Sequence, residues 1–465
     1  MALRVHNTLS RKLESFKPLD DKNVKLYTCG PTVYNVAHVG NWRAFLFYDL
    51  FKRYLSYRGF KVTHVMNITD VDDKIIRDCQ KTGLSREAFT KKYTDLFLED
   101  EKTIGILSPD HMPRATEYVG DMISLIQSLM DKGFAYRADE GVYFRVSAFK
   151  SYGKLSGIDQ EQLLAGGSGR LTADEYDKSS VQDFALWKFH VPADGDVMWD
   201  APFGKGRPGW HIECSAMARR LLGDQLDVHM GGVDLIFPHH ENEIAQIEPV
   251  SKKRFTTYWL HNEHLLVDGK KMSKSLGNFY TLRDLLAKGH KPLAIRYLFI
   301  STHYRQKFNL SMEALHSAEV AVKTFDEFLI HLQDAAAEND NPKLPRLIAK
   351  TEKSFQKAMD NDLNISEALA HLHNFMSQIN KLRAKLSKKD TKEIKDFMLR
   401  INTVLGVMSE HKDEAPKDIL DLVAKREMAR KAKVWKESDA IRDQLKVKGW
   451  YVEDLPQGPR PRRIE

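Results

Sequence analysis

Apolar and polar positions follow different rhythms along the chain. Lys25 to Cys29 is a short apolar run closed by Gly30-Pro31, which predicts a strand. A loop is predicted from Thr32 to Asn41. Phe45, Tyr48, Phe51 and Leu55 then recur at spacings of three and four, so a helix follows, ending at Arg58-Gly59. Val62 to Ile68 is β-branched and apolar, a second strand. Strand, helix and strand in this order make a βαβ unit, the building block of a doubly wound parallel sheet. Ser85 to Lys132 is periodic and predicts helix. Gly141 to Val146 alternates like a strand. From about Asp183 the chain is rich in Trp, Gly, Pro and His, as loops around a site often are. Leu226 to Met230 and Leu265 to Asp268 are predicted strands returning to the same sheet.

After about Ser301 the rhythm becomes helical throughout. Ala, Leu, Glu, Lys, Gln and Met dominate, and Gly is scarce, which predicts a helical bundle. Asn339 to Pro345 reads as a loop between helices. A further helix is predicted around Leu420 to Lys448, stopped by Gly449, before a Pro-, Gly- and Arg-rich end. No internal repeat is visible.

Charge changes this picture at one end. The formal net charge is +7. Lys425 to Glu465 carries twelve Lys and Arg against seven Asp and Glu. That surplus suits a phosphate backbone, and equally a solvated helix face. Three cysteines, Cys29, Cys79 and Cys214, are too few and too odd in number for a disulfide framework, and they fit a reducing compartment. No apolar run approaches a membrane span, and no signal or transit peptide is recognisable. A cytoplasmic protein without membrane contact is expected.

Two strings carry candidate chemistry. Gly30-Pro31-Thr32-Val33-Tyr34-Asn35-Val36-Ala37-His38-Val39-Gly40-Asn41 lies between a predicted strand and a helix N-terminus. Such an end binds anions through free N–H groups and the helix dipole. Gly40 admits a ligand close to the backbone, and His38 can donate to phosphate oxygens. Far downstream, Lys270-Lys271-Met272-Ser273-Lys274-Ser275 precedes Leu276-Gly277-Asn278. Cations beside small hydroxyls in a Gly-bounded loop suit a triphosphate, where charge builds on departing pyrophosphate. The Gly-rich run Ala165 to Gly169 is no phosphate loop, because no Lys-Ser/Thr follows it.

The pair of strings resembles the HIGH and KMSKS signatures of class I aminoacyl-tRNA synthetases. Residues 38–41 read HVGN, so Asn41 stands where the family has its second histidine, and it can still donate to a phosphate or ribose. Four further strings resemble the cysteinyl-tRNA synthetases within that class. They are Tyr27 to Tyr34, Asn67 to Lys74, Gly209 to Ser215 (GWHIECS) and Gly231 to Glu243 (GGVDLIFPHHENE). The resemblance runs from about Leu9 to Arg463. It implies a Rossmann-type doubly wound parallel sheet with an inserted connective domain, then a helical bundle and a small basic C-terminal domain. The expected bounds are 1–120 and 206–300 for the two catalytic halves, 121–205 for the insertion, 301–410 for the bundle and 411–465 for the anticodon-binding end.

The resemblance also implies roles. His38, Asn41, Lys271 and Lys274 would be catalytic. Gly40, His38, Asp234 and Lys274 would hold ATP, with Mg²⁺. Thr69 and Trp210 would surround L-cysteine, and Trp435 and Asp439 would meet the anticodon of tRNA(Cys). On the sequence alone Trp210 reads equally as a packing residue, and Trp435 reads first as a core-packing one. One Zn²⁺ per chain would sit on Cys29, Cys214, His239 and Glu243. Taken alone, the two cysteines read as buried thiols, although His239 and Glu243 share a face if helical. His240 is a neighbour that orients the site or walls it, and Cys79 keeps a core role. A thiolate-preferring metal would give selectivity over near-isosteric serine, which a plain pocket discriminates poorly. A monomer is expected. Three other readings compete: a ligase joining cysteine to a small amine, a non-catalytic RNA-binding paralogue, and a zinc hydrolase. The last lacks its motif, since Ile244 stands where H-E-x-x-H needs histidine.

Overall fold

A computed structural model describes residues 2–158, 170–171, 183–273, 276–332, 337–409, 415–455 and 458–463. Loop 165–169 and Lys274 lie outside the described residues. The chain divides into two compact units. One comprises Met1–Lys323, Pro342–Ile379 and Asp396–Val407, the other Thr324–Asn341, Asn380–Lys395 and Met408–Glu465.

The first unit opens with an antiparallel hairpin, β1 (Arg4–Asn7) and β2 (Lys12–Ser15). Strand β3 (Asn23–Thr28), helix α1 (Val39–Tyr57) and strand β4 (Lys61–Met66) form the predicted βαβ unit, with the strands parallel. Helix α1 buries Phe45, Tyr48, Phe51 and Leu55, the positions whose spacing predicted it. It begins at Val39 rather than beyond Asn41, because His38 and Asn41 cap its first turn. Helices α2 (Asp73–Thr82), α3 (Arg86–Thr103) and α4 (Val119–Asp131) follow. The single helix predicted over Ser85–Lys132 is therefore two, and Pro109 and Pro113 lie in the break, where a helix would miss their N–H groups.

A second sheet then interrupts the first. It contains β5 (Ala135–Arg137), β6 (Gly141–Phe144), β7 (Arg170–Leu171), β8 (Asp183–Phe189) and β9 (Gly206–Pro208). The region after Asp183, read as loops, starts with strand β8. Five consecutive residues of β8 are buried, so it shows no alternation. Helix α5 (Trp210–Leu222), strand β10 (Leu226–Gly232), helix α6 (Glu241–Ser251) and strand β11 (Thr256–Asn262) return to the main sheet. Its order is β11-β10-β3-β4, all parallel. Leu265–Asp268 does not join it. Strand β12 (Leu265–Val267) pairs instead with β13 (Lys270–Lys271) and β14 (Phe308–Leu310). From β3 the chain winds toward β4, and from β10 it winds toward β11. The winding reverses between β3 and β10, and ligands of doubly wound folds bind at the carboxyl ends of such strands.

The region after Ser301 is helical, as its composition predicts. After α7 (Leu282–Ala287) and α8 (Pro292–Ser301) come α9 (Met312–His331), α10 (Leu344–Met359), α11 (Ile365–Leu382) and α12 (Lys388–Leu405). In the second unit the helix predicted over Leu420–Lys448 is two, α13 (Lys417–Lys431) and α14 (Trp435–Val447). Lys433, at φ 60°, breaks them. The Pro- and Arg-rich end forms a hairpin of β15 (Trp450–Leu455) and β16 (Gly458–Arg463). Ile419, Val423, Ile441, Leu445 and Trp450 make a small core there. Arg426 grips Asp454 with two bonds of 2.8 and 2.9 Å.

One buried carboxyl of the first unit gives the fold a pH dependence. Glu101 on α3 is 3 % exposed, and its Oε1 has no hydrogen-bond partner. Burial, reinforced by the Asp49 charge, pushes its carboxyl up to about 7 from 4.5. Between these values the native state keeps a proton that the unfolded chain releases. Stability therefore falls as pH rises from about 4.5 to about 7 and is level above. Glu101→Gln is expected to leave the melting temperature unchanged near pH 4 and to raise it at pH 8, by about 2–3 kcal/mol in stability. Thermal melts at both values check this. A gain independent of pH would refute it.

Candidate active site and metal centre

The reversal point between β3 and β10 gathers most of the predicted site. Cys29 follows β3 directly, and its N–H donates to the Met230 carbonyl on β10 at 3.3 Å. At Gly30 a Cβ would lie 1.8 Å from the Asn67 carbonyl oxygen, so only glycine fits there. His38 is the N-cap of α1. Its Nδ1 accepts from the Asn41 N–H at 3.3 Å, while Asn41 Oδ1 accepts from the His38 N–H at 3.1 Å. The HVGN string thus sets the entry of α1 through its own ends. At Gly40 a Cβ would crowd the His38 ring, at 2.9 Å from Cε1.

The second signature string reaches the first. The Val39 N–H donates to the Tyr280 carbonyl at 2.9 Å, and the His38 and Phe279 rings meet edge-on at 5.4 Å. Lys271 is exposed on β13. Asn278 ties back to β13 and Ser273, accepting from the Ser273 N–H at 2.9 Å and donating to the Lys271 carbonyl at 3.2 Å. The sequence reading quoted Asn278 without giving it this task. Asp234 sits in the short turn after β10, where its Oδ1 would lie 2.4 Å from a Cβ on Gly232.

Beneath these loops lies a buried polar cluster. Cys29, Cys214, His239 and Glu243 offer ligand atoms that all lie within 4.8 Å of one another. Cys214 comes from α5, and His239 from an irregular turn, Ile236–His240, that leads into α6. His239 and Glu243 are four apart, with Nε2 and Oε1 at 3.1 Å. Second partners fix both. His239 Nδ1 meets His211 Nδ1 at 3.0 Å, and Glu243 Oε2 meets His229 Nε2 at 2.9 Å. Cys29, His229, His240 and Glu243 form an overlapping group. His240 joins Cys29 Sγ at 3.2 Å and His261 at 2.8 Å, so it is a bonded neighbour rather than a plain wall.

The donor chemistry fits a cation. A hydrogen bond with Cys29 holds the Cys214 thiol down at about 6, although burial opposes it, while burial pushes Cys29 up. Glu243 is held down at about 2 by His229 and His239 against its own burial. Burial would lower His239, but its bonds to Cys214 and Glu243 raise it to about 10. Glu243 Oε1 has no properly aligned hydrogen bond and faces the His239 ring nitrogen. A buried set of thiolate and carboxylate donors calls for positive charge, which a metal ion would supply. The four residues are compatible with a metal site.

Trp210 borders this cluster, and Thr69 bonds to Glu213, the residue before Cys214. Thr69 Oγ1 donates to Glu213 Oε2 at 2.9 Å, and Trp210 stacks on the His239 ring with centroids 4.5 Å apart. Glu213, His211, His229 and His261 received no role in the sequence reading. His211 and Glu213 lie within one helical turn of Cys214 in sequence, but nothing in the sequence ties His211 to His239 or brings His229 and His261 to the cluster. Cys79 is buried with Val33, Ile68, Ile75 and Phe89, in its expected core role. In the second unit Trp435 opens α14 and is 59 % exposed, which excludes core packing, and Asp439 pairs with Arg442 at 3.1 Å. Among the described residues no helix is long and apolar enough to cross a membrane.

Comparisons with known proteins give the family of the chain. Residues 15–320 match the family described as tRNA synthetases class I (C) catalytic domain, and residues 354–409 match the DALR domain. The cysteine–tRNA ligase of Chlamydia muridarum is 47 % identical over 478 residues, covering 100 % of both chains. That of Brachyspira hyodysenteriae is 44 % identical over 467 residues, covering 98 % of each. The structure of Mycobacterium tuberculosis methionyl-tRNA synthetase with methionyl-adenylate shares the fold. It has a TM-score of 0.63 at 16 % identity, over 86 % of this chain and 94 % of that one. The chain belongs to the cysteine–tRNA ligases, ATP-dependent enzymes of the class I aminoacyl-tRNA synthetases.

Proposed function

We propose that the chain activates L-cysteine with ATP and transfers it to the 3′ end of tRNA(Cys), with Zn²⁺ on Cys29, Cys214, His239 and Glu243 and Mg²⁺ accompanying ATP. The observation that carries this is the convergence of those four donors within 4.8 Å at the carboxyl ends of β3 and β10. Two cysteines, one histidine and one carboxylate are a zinc-type set, and the overlapping group offers one sulfur fewer. When bound there, zinc would favour the soft thiolate of cysteine over the hydroxyl of serine. The three unpaired cysteines fit a reducing, cytoplasmic compartment, and the proposed working form is a monomer.

The chain's own residues bind and orient. Trp210 and Thr69 wall the amino-acid side of the crevice. The first turn of α1, with His38, Gly40 and Asn41, offers N–H groups and side-chain donors to the phosphates. Asp234 would hold the ribose. The cysteine carboxylate attacks the α-phosphorus of ATP and pyrophosphate leaves, its charge met by Lys271 and Lys274. The 2′-oxygen of the terminal tRNA ribose then takes the cysteinyl group and AMP leaves. No residue forms a covalent intermediate, so positioning and charge carry the rate. In the second unit Trp435, exposed at the start of α14, offers a face on which an anticodon base can stack.

Cysteine-dependent ATP–pyrophosphate exchange, followed by charging of purified tRNA(Cys), tests the reading. Exchange without charging would favour a ligase for small amines, and no exchange a binding module. Lys274→Ala is expected to lower exchange by roughly a hundredfold while leaving the dissociation constant of cysteine unchanged. Equal loss of both would remove Lys274 from the phosphate side.

A further inference from the structure

Tyr27 has no role in the chemistry above, yet its place is unusual for a packing residue. It lies on β3 two residues before Cys29, so the two side chains leave the same face of the sheet. Thr28, between them, turns the other way, and its Oγ1 meets His64 Nε2 at 2.9 Å. Across the sheet Tyr27 is the register partner of His229, and the two rings meet edge-on with centroids 5.1 Å apart. Tyr27 is 0 % exposed, and its hydroxyl has no hydrogen-bond partner of good geometry. A buried phenol normally finds an acceptor. Here the polar groups around it are Cys214, Cys29 and Glu243, three of the four converging donors, and Cys214 is the one within its bonding reach. A phenylalanine would fill the same space without burying a polar atom.

We infer that Tyr27 is a positioning residue of the metal centre, its hydroxyl donating to the Cys214 sulfur when that sulfur is a metal-bound thiolate. The inference rests on the zinc reading proposed above. A hydrogen bond to an anionic sulfur is charge-assisted, and in the empty site the Cys29 thiol already supplies one to Cys214, a donor lost once both cysteines bind metal as thiolates. The hydroxyl therefore stabilises the loaded centre more than the empty one. It also draws electron density from the sulfur, offsetting the surplus negative charge that two thiolates and a carboxylate bring to one dication. Outer-shell partners of this kind set ligand basicity as well as orientation.

The test uses the full-length chain, with Tyr27→Phe and cobalt(II) in place of zinc. Chelator competition reads the affinity, and the thiolate-to-cobalt charge-transfer band reads the sulfur. The variant is expected to bind cobalt about tenfold more weakly. Its band should move to longer wavelength, because the sulfur lone pairs rise in energy without a donor. The melting temperature of the metal-free protein should be unchanged, since the ring and its contact with His229 remain. Site-specific 3-fluorotyrosine at position 27 is a stronger donor and should move the band the opposite way, which keeps the test open if the phenylalanine variant folds poorly. An unmoved band in either variant, or in Tyr27→Phe an affinity within about twofold of the parent, would overturn the role of Tyr27. A parent protein that shows no thiolate-to-cobalt band at all would instead overturn the zinc reading.

Discussion

Replacing Cys214 by serine is expected to weaken zinc binding by more than about a hundredfold, beyond what outer-shell changes usually cost. Cysteine-dependent ATP–pyrophosphate exchange should fall on the order of a thousandfold with it. The substitution changes one atom in a residue 2 % exposed, so shape is nearly kept. What changes is the donor. A serine hydroxyl does not ionise near neutral pH, and its oxygen is hard where the sulfur is soft. Cys29, His239 and Glu243 leave that set one donor short, and the overlapping group with His229 and His240 keeps only one sulfur. The residual exchange should also lose its preference for cysteine over serine. Zinc content by atomic absorption and exchange with each amino acid in turn measure both effects. A variant that keeps one zinc and full discrimination would show that these donors do not set specificity. Melting of the metal-free variant beside metal-free parent separates loss of metal from loss of fold.

The sequence revealed this site unevenly, for physical reasons. The βαβ unit was legible because β3 and α1 carry clean periodicities and a Gly-Pro stop lies between them. The end at Arg58-Gly59 was legible too, since Gly59 at φ 81° is a conformation glycine adopts freely. Strands β8 and β11 were not, because they are buried on both faces and carry Trp, Lys, His and Asn among apolar residues. The HVGN string was readable as an anion-binding loop. That His38 and Asn41 also bond each other was not, since capping by histidine lies outside the usual Ser, Thr, Asp and Asn pattern.

The metal cluster shows the limit most clearly. Its four residues come from β3's end, α5, an irregular turn and α6, and only His239 and Glu243 are sequence neighbours. No spacing rule joins Cys29 to Cys214. Resemblance to a family named them, and the parallel sheet explains why they meet: β3 and β10 are adjacent although far apart in sequence. The supporting shell was less visible still. His211, His229 and His261 orient ring nitrogens and a carboxylate through single contacts, which leave no periodic trace.

Arg296→Met is expected to destabilise the first unit by about 3–5 kcal/mol. Arg296 on α8 is 0 % exposed, and Asp49 on α1 is 2 % exposed. The guanidinium donates to Asp49 Oδ2, to the Leu405 carbonyl at 2.7 Å and to the Gly105 carbonyl at 3.1 Å. Asp49 also accepts from Arg53 at 2.7 Å and from the Leu107 N–H at 2.9 Å. Removing the arginine leaves the buried Leu405 carbonyl and the half-buried Gly105 carbonyl without this donor, and a carboxylate with one cation fewer. Glycine is required beside it, since at Gly406 a Cβ would lie 2.8 Å from Arg296 Nε. The pair joins α1, whose first turn holds His38 and Asn41, to α8, which follows the Lys271–Asn278 loop. A loosened pair should therefore lower exchange at temperatures below the main unfolding transition. Urea denaturation of Arg296→Met, Asp49→Asn and the double variant separates the effects. The double variant should cost clearly less than the two singles added together, because the charges leave as a pair. Strict additivity, or a loss under about 1 kcal/mol in Arg296→Met, would show that the pair is not what holds α1 to α8.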